Sequence, residues 1–256
     1  MYDIFSIAGK TALVTGGGRG IGAMITRGFV EAGAKVYIAS RNPEPGERLA
    51  EELKDAIGEC IPLTADLSTL DNIHALATEL SQRESKLDIL VNNAGAAAMA
   101  PLDSFSEADW DAVMDVNTKS VFFTIQALLP LIRASASDQA SARIINIASQ
   151  NGVKTPDHDI YSYSASKAAC IMLTRHLAKR LAKEHILVNS ISPGPFPTDM
   201  IAPILDKAGD ALAARNPLQR LGEPSDIIGA AIYLASRASA WTTGANIPCD
   251  GGGAQL

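Results

Sequence analysis

Residues 11–22 read Thr11-Ala12-Leu13-Val14-Thr15-Gly16-Gly17-Gly18-Arg19-Gly20-Ile21-Gly22, a short apolar run that passes directly into a glycine-rich turn. The run has the length of a strand. The pattern from Ile21 to Ala32 that follows has the period of an amphipathic helix. Strand, turn and helix in that order open a βαβ unit. Glycines admit positive φ and close backbone approach, while the free N–H groups and the dipole of a helix start favour an anion. A pyrophosphate suits such a place; a plain connection from strand to helix is the alternative.

Outward from this stretch the same alternation continues. Further strands are predicted at Lys35–Ala39, Cys60–Leu63, Leu87–Val91, Ala142–Ile147, Ile186–Ile191 and Ala245–Pro248. Helical patterns run from Glu47 to Ile57, Leu70 to Arg83, Glu107 to Arg133, Tyr161 to Glu184 and Ser225 to Ser236. Seven strands and right-handed crossovers predict an α/β fold: a single-domain, Rossmann-like, doubly wound parallel sheet with helices on both faces. Between Pro193 and Pro217 prolines interrupt the rhythm, and residues 195–217 read as a mobile lid over a substrate.

With 256 residues, 47% of them hydrophobic and 20% charged, the chain can bury a core as one domain. A net charge of −6 without a basic stretch disfavours a nucleic-acid partner, because phosphate binding needs clustered Lys and Arg. No apolar segment spans a bilayer, and Met1 to Ser6 lack the basic-then-apolar pattern of a secretory leader. These features predict a cytoplasmic protein with no membrane partner. Cys60, Cys170 and Cys249 are widely spaced among apolar neighbours, which predicts buried thiols rather than disulfides or metal ligands.

The end of the second strand reads Ser40-Arg41, where a carboxylate for a ribose 2′-hydroxyl would otherwise stand. A guanidinium suits a 2′-phosphate, and Arg19 in the glycine turn approaches the same place, so NADP (NADPH) is the predicted cofactor. The alternative for each arginine is a solvated surface charge.

In Tyr163-Ser164-Ala165-Ser166-Lys167 the phenol and the ammonium are four residues apart, on one face of the predicted helix. An ammonium beside a phenol favours its ionised form and suits it to acid/base work. Ser149 ends the preceding strand at the sheet's carboxyl edge, where a hydroxyl can hold a substrate oxygen. The alternative is a serine that caps its loop and a tyrosine packed on the sheet.

The glycine turn, Asn92-Asn93-Ala94-Gly95 after strand four, and Ser149 with Tyr163 and Lys167 together resemble the short-chain dehydrogenase/reductase family. The similarity runs nearly end to end through Asp66-Leu67, Asn117, Pro193-Gly194 with Thr198, and Asp250-Gly251-Gly252. It implies that Tyr163 is the acid/base, Ser149 orients the substrate, and Lys167 assists the tyrosine and bonds the nicotinamide ribose. Asn117 would anchor a water in the proton relay, its alternative being a helix-bending polar residue. For the cofactor it implies contacts from Gly16, Gly18, Arg19, Gly20, Ile21, Gly22, Ser40 and Arg41. Asp66 and Leu67 would touch adenine, Asn93, Ala94 and Gly95 the ribose, and Pro193, Gly194, Phe196 and Thr198 the carboxamide side.

One departure is the 14-residue gap from Ser149 to Tyr163, longer than in many relatives, which the pocket-shaping loop from Gln150 to Ile160 absorbs. The implied reaction is hydride transfer between NADP(H) and a carbonyl or alcohol. The whole pattern resembles 3-oxoacyl (β-ketoacyl) thioester reductases, with segments similar to the branch serving rhamnolipid or polyhydroxyalkanoate precursors. Ala96, Ala97, Ala98, Met99, Val153, Pro156, Ile201 and Ile204 are apolar pocket candidates that suit an acyl chain, core or lid packing being the alternative. Another ketone, a sugar, a polyol or a steroid fits the same chemistry. A non-catalytic NADP sensor or assembly partner is the contrasting class, opposed by the presence of every hydride-transfer residue. The resemblance also implies a homotetramer or homodimer joined through the two long helices and the last strand. Val121, Phe122, Phe123, Leu128 and Leu129 would serve that contact or pack on their own sheet.

Overall fold

A computed structural model describes residues 3–254, apart from the side chains of Pro203, Ile204 and Lys207. The first strand, β1 (Thr11–Thr15), is buried along its whole length, as an apolar strand flanked on both sides and covered on both faces must be. Six more strands join it: β2 (Lys35–Ser40), β3 (Glu59–Thr64), β4 (Ile89–Asn92), β5 (Ala142–Ile147), β6 (Ile186–Pro193) and β7 (Asn246–Cys249). All pairings are parallel, in the order β3-β2-β1-β4-β5-β6-β7. The chain therefore winds outward from β1 in one direction and then returns to pair β4 with β1. That reversal opens a crevice beyond the carboxyl ends of β1 and β4, where ligands of such sheets bind.

Alternation along each strand divides the core. Val14, Val91 and Ile145 face the layer built by α1 (Gly20–Glu31) and α8 (Pro224–Ala235), with Phe29 and Ile227 fully buried there. Leu13, Leu90 and Ile144 face α3 (Leu70–Arg83), α5 (Ser120–Ser135) and α6 (Tyr161–Leu181), whose Leu76, Leu128 and Ala178 complete the second layer. Each such large side chain contributes about 1.5–3 kcal/mol on full burial.

Three helical expectations change. The second helix, α2, spans Glu44–Glu52 instead of starting at Glu47, because a proline is tolerated in a first turn whose N–H groups have no partner within the helix. The pattern from Glu107 to Arg133 is not one helix but α4 (Glu107–Met114), a π-helical turn (Asp115–Lys119) and α5. Within the segment expected to be a lid lies α7 (Ala202–Arg215), with a kink at Ala208. Its first-turn proline looks like a breaker in the sequence but is compatible with a helix start. Of the thiols, only Cys170 is buried outright; Cys60 and Cys249 are half-buried, against expectation. Among the described residues no helix is long and apolar enough to cross a membrane.

Candidate active site

The turn after β1 shows why glycine is needed there. Gly16 and Gly20 have φ of 64° and 54°. A Cβ on Gly22 would lie 2.3 Å from the Gly16 carbonyl oxygen and 2.4 Å from Asn93 Nδ2. The turn is braced from β4: Asn93 Nδ2 donates to the carbonyls of Thr15 at 2.9 Å and Gly16 at 3.1 Å. Thr15 Oγ1 accepts from the N–H of Asn93 at 2.9 Å and of Ala94 at 3.0 Å. In the sequence, Thr15's only signal is its place as the last strand residue before the glycines.

No side chain caps α1, and its first turn carries no acid. Its leading N–H groups thus face the crevice with the positive end of the helix dipole, an arrangement that fits a dinucleotide pyrophosphate. At the end of β2 the Ser40 carbonyl accepts the Ala65 N–H at 2.9 Å, which sets Ser40-Arg41 alongside Ala65-Asp66. Arg19 and Arg41 are both exposed, and neither is among the arginines held in ion pairs in the described residues. Asp66 is half-buried and its carboxylate caps the Ser68 N–H at 3.1 Å, while Leu67 is buried in the core.

On the other side of the crevice, β6 delivers Pro193 and Gly194. The Gly194 N–H donates to the Cys249 carbonyl at 2.9 Å. Phe196 is buried with its ring against Gly222, so only its main chain is free to meet a ligand. Thr198 approaches the glycine turn, its methyl 3.3 Å from where a Gly20 Cβ would stand. A separate cavity of about 520 Å³ is lined by Phe196, Asn216, Leu218, Arg220 and Cys249 among others, and contains neither Ser149 nor Tyr163.

Strand β5 leads to Ser149, and helix α6 carries Tyr163 and Lys167. Lys167 is buried, and its Nζ donates to the Ile147 carbonyl at 2.8 Å while lying 5.6 Å from the centre of the Tyr163 ring. Two residues beyond Ile147 stands buried Ser149, whose Oγ accepts the Asn151 N–H at 3.1 Å. Its own hydroxyl hydrogen therefore remains free to donate to a substrate oxygen. The short 3-10 turn Gln150–Gly152 rests on α6 so closely that a Cβ on Gly152 would lie 2.7 Å from the Lys167 carbonyl carbon.

Asn117, in the π-helical turn, is almost wholly buried. Its Oδ1 accepts the Ala96 N–H at 2.8 Å, and its Nδ2 donates to the Ala96 carbonyl at 2.9 Å and to Ser166 Oγ at 3.0 Å. Both amide hydrogens are thus committed, and a relay water would have to meet an oxygen of this residue. A Cβ on Gly95 would stand 3.4 Å from Asn117 Oδ1 and 3.7 Å from Lys167 Nζ, so all three meet at one point. Deeper in the fold, Asn92 Nδ2 donates to Asn146 Oδ1 and Asn146 Nδ2 to Thr174 Oγ1, each at 2.9 Å. This buried chain ties β4, β5 and α6 together, and nothing in the strand pattern marks it.

Around the mouth, Ala97, Met99 and Val153 are exposed and Ala96, Ala98, Pro156 and Ile201 are half-buried, so none of the seven is core. The side chain of Ile204 lies outside the described residues. Tyr161 donates to Asp159 at 2.5 Å, and that carboxylate pushes the phenol's pKa up. Burial holds the Cys170 thiol up, with the Lys167 ammonium pulling the other way. Among the described residues no group of three His, Cys, Asp or Glu could hold a metal ion.

Residues 16–253 match a family model described as Enoyl-(Acyl carrier protein) reductase. The chain is 46% identical over 254 residues to the rhamnolipids biosynthesis 3-oxoacyl-[acyl-carrier-protein] reductase of Pseudomonas aeruginosa, covering 98% of this chain and 99% of that one. It is 35% identical to the 5-keto-D-gluconate 5-reductase of Escherichia coli K12, covering 98% of each. Among solved structures, the Pseudomonas aeruginosa RhlG/NADP active-site complex superposes with a TM-score of 0.95 at 45% identity, covering 99% of this chain and 100% of that one.

Proposed function

Since the chain belongs to the short-chain dehydrogenase/reductase family, we propose that it is an NADP(H)-dependent oxidoreductase whose substrate is a 3-oxoacyl thioester. The observation that carries the reaction type is the buried Lys167 ammonium beside the Tyr163 ring, with the Ser149 hydroxyl at the end of the same strand that anchors the lysine. NADPH held along the glycine turn would supply the hydride. Gly16, Gly18, Gly20, Ile21 and Gly22 would offer backbone to its pyrophosphate, and Arg19, Ser40 and Arg41 would meet its 2′-phosphate.

Tyr163 donates a proton to the carbonyl oxygen as it gains negative charge, and Ser149 holds that oxygen with its free hydroxyl hydrogen. Lys167, beside the phenol ring, would bond the ribose. Asn117 anchors the relay water through an oxygen, because its amide hydrogens are taken. Met99, Val153 and Ile201 at the mouth offer apolar surface to an acyl chain, and the segment 195–217, with α7, closes over it.

The resemblance to the rhamnolipid enzyme favours the thioester; the gluconate relative makes a keto-sugar acid the second reading. Following NADPH consumption with 3-oxoacyl thioesters of increasing chain length, with 5-keto-gluconate and with cyclic ketones decides between them. A rate that rises with acyl length is expected, and turnover of the sugar acid alone overturns the thioester. We further propose a homodimer or homotetramer in the cytoplasm. A groove lined by Phe122, Ile125, Leu129 and Leu177, between α5 and α6, supports the first, and three unpaired cysteines suit a reducing compartment.

A further inference from the structure

We infer that Ser166 is a positioning residue, the link through which Asn117 and the loop after β4 hold Tyr163 in register with the nicotinamide site; this rests on the reductase reading above.

Ser166 is fully buried inside α6. Its Oγ accepts from Asn117 Nδ2 at 3.0 Å and donates to the main-chain carbonyl of Tyr163 at 2.7 Å. The donor capacity of both groups is then used in one direction: Asn117 gives its second hydrogen to Ala96, Ala96 returns its N–H to Asn117, and Ser166 passes its only hydrogen to Tyr163. Chains of this kind in a dry interior have one satisfied arrangement, because turning any member leaves a buried donor without a partner.

Three segments meet in it. Ala96 stands directly after the Asn93-Ala94-Gly95 turn that braces the glycines, Asn117 sits in the π-helical turn, and Tyr163 lies in the first turn of α6. Thr118 Oγ1 adds a contact to the Ser166 carbonyl at 3.4 Å. A shift of the first turn of α6 relative to Gly95 would therefore break the Ser166 link first. The hydroxyl touches neither cofactor nor substrate on this reading; it acts through the tyrosine's backbone.

Ser166→Ala removes the oxygen and keeps a strong helix former, so α6 persists. The expected result is a fall in kcat of about tenfold with little change in the KM for NADPH, since sub-ångström misplacement of an acid weighs on the transition state more than on cofactor binding. The primary isotope effect on kcat with 4-deuterated NADPH should rise as hydride transfer becomes more rate-limiting. Ser162→Ala is the control, because Ser162 is equally buried in the same helix and its hydroxyl has no partner; it should leave both unchanged. An unaltered kcat and isotope effect in Ser166→Ala, or equal losses in the two variants, overturns the inference. Should the unmodified protein reduce no carbonyl at all, the reductase reading fails separately. The staple is then judged by hydrogen exchange: Ser166→Ala must speed exchange of the Ala96 N–H, and unchanged protection there overturns it.

Discussion

The Lys167 ammonium stands 5.6 Å from the centre of the Tyr163 ring and is fixed in place by the Ile147 carbonyl at 2.8 Å. A residue of α6 is thereby tied to the end of β5, the strand that also presents Ser149. Tyr163, Lys167 and Ser149, the proposed acid, its charged neighbour and the proposed oxygen-holding hydroxyl, are consequently set by one contact between helix and sheet.

Removing the phenolic hydroxyl isolates the proton-transfer role. Tyr163→Phe is expected to reduce kcat by roughly 10²–10⁴-fold, the usual weight of a positioned acid, while NADPH affinity stays close to that of the unmodified protein. Steady-state rates and fluorescence titration with NADPH measure the two. Retention of most of the turnover would remove Tyr163 from the mechanism.

On the proposed reading, cofactor choice rests on the exposed Arg41 guanidinium. Arg41→Asp replaces a partner for the 2′-phosphate with a group that repels it, so the preference for NADPH over NADH should fall by about 10–100-fold. Measuring kcat/KM for both cofactors in both proteins checks this, and an unmoved ratio assigns the selectivity elsewhere.

Packing of the glycine turn leaves no room for a methyl group at residue 22. Gly22→Ala would press on the Gly16 carbonyl and Asn93 Nδ2, both held by hydrogen bonds. The expected loss is about 1–3 kcal/mol of stability together with weakened NADPH binding. Chemical denaturation and the same titration report it; a fully stable variant that binds NADPH normally contradicts the tight contact.

Acid should weaken the start of α8. Asp226 receives two bonds from Arg220 and one from the Glu223 N–H, and these bring its pKa down to about 2 from 3.8. A depressed folded value means the contribution is complete above the unfolded pKa and disappears as pH falls from about 4 through 2. Because the pair is partly exposed, that contribution is about 1 kcal/mol after screening. Thermal melts between pH 5 and 2 should show a shallower decline for Asp226→Asn than for the unmodified protein, and parallel curves would deny the carboxylate this role.

Much of the fold was legible because each element carries its own period. The seven strands end within two residues of where apolar runs and turn residues put them, and Gly16 to Gly22 announce the first βα turn by composition. Elements whose signal depends on neighbours were less clear. The segment 195–217 looked irregular because of its prolines, yet it contains α7, and the apparent single helix from Glu107 to Arg133 opens into a π-helical turn at Asn117. That opening coincides with hydrogen bonds from Asn117 to Ala96 and Ser166, 21 and 49 residues away in the chain, which no local pattern contains.

By itself, then, the sequence determined the order of the strands, most of the helices between them, the glycine turn and the presence of Ser149, Tyr163 and Lys167, since local periodicity and residue chemistry are written along the chain. Tertiary structure decided which groups meet: Lys167 with Ile147, Thr15 with Asn93, Asn117 with Ala96 and Ser166, and Phe196 turned inward onto Gly222. Such contacts arise only when a parallel sheet brings distant segments to one edge, where buried donors must find acceptors whatever their separation in sequence.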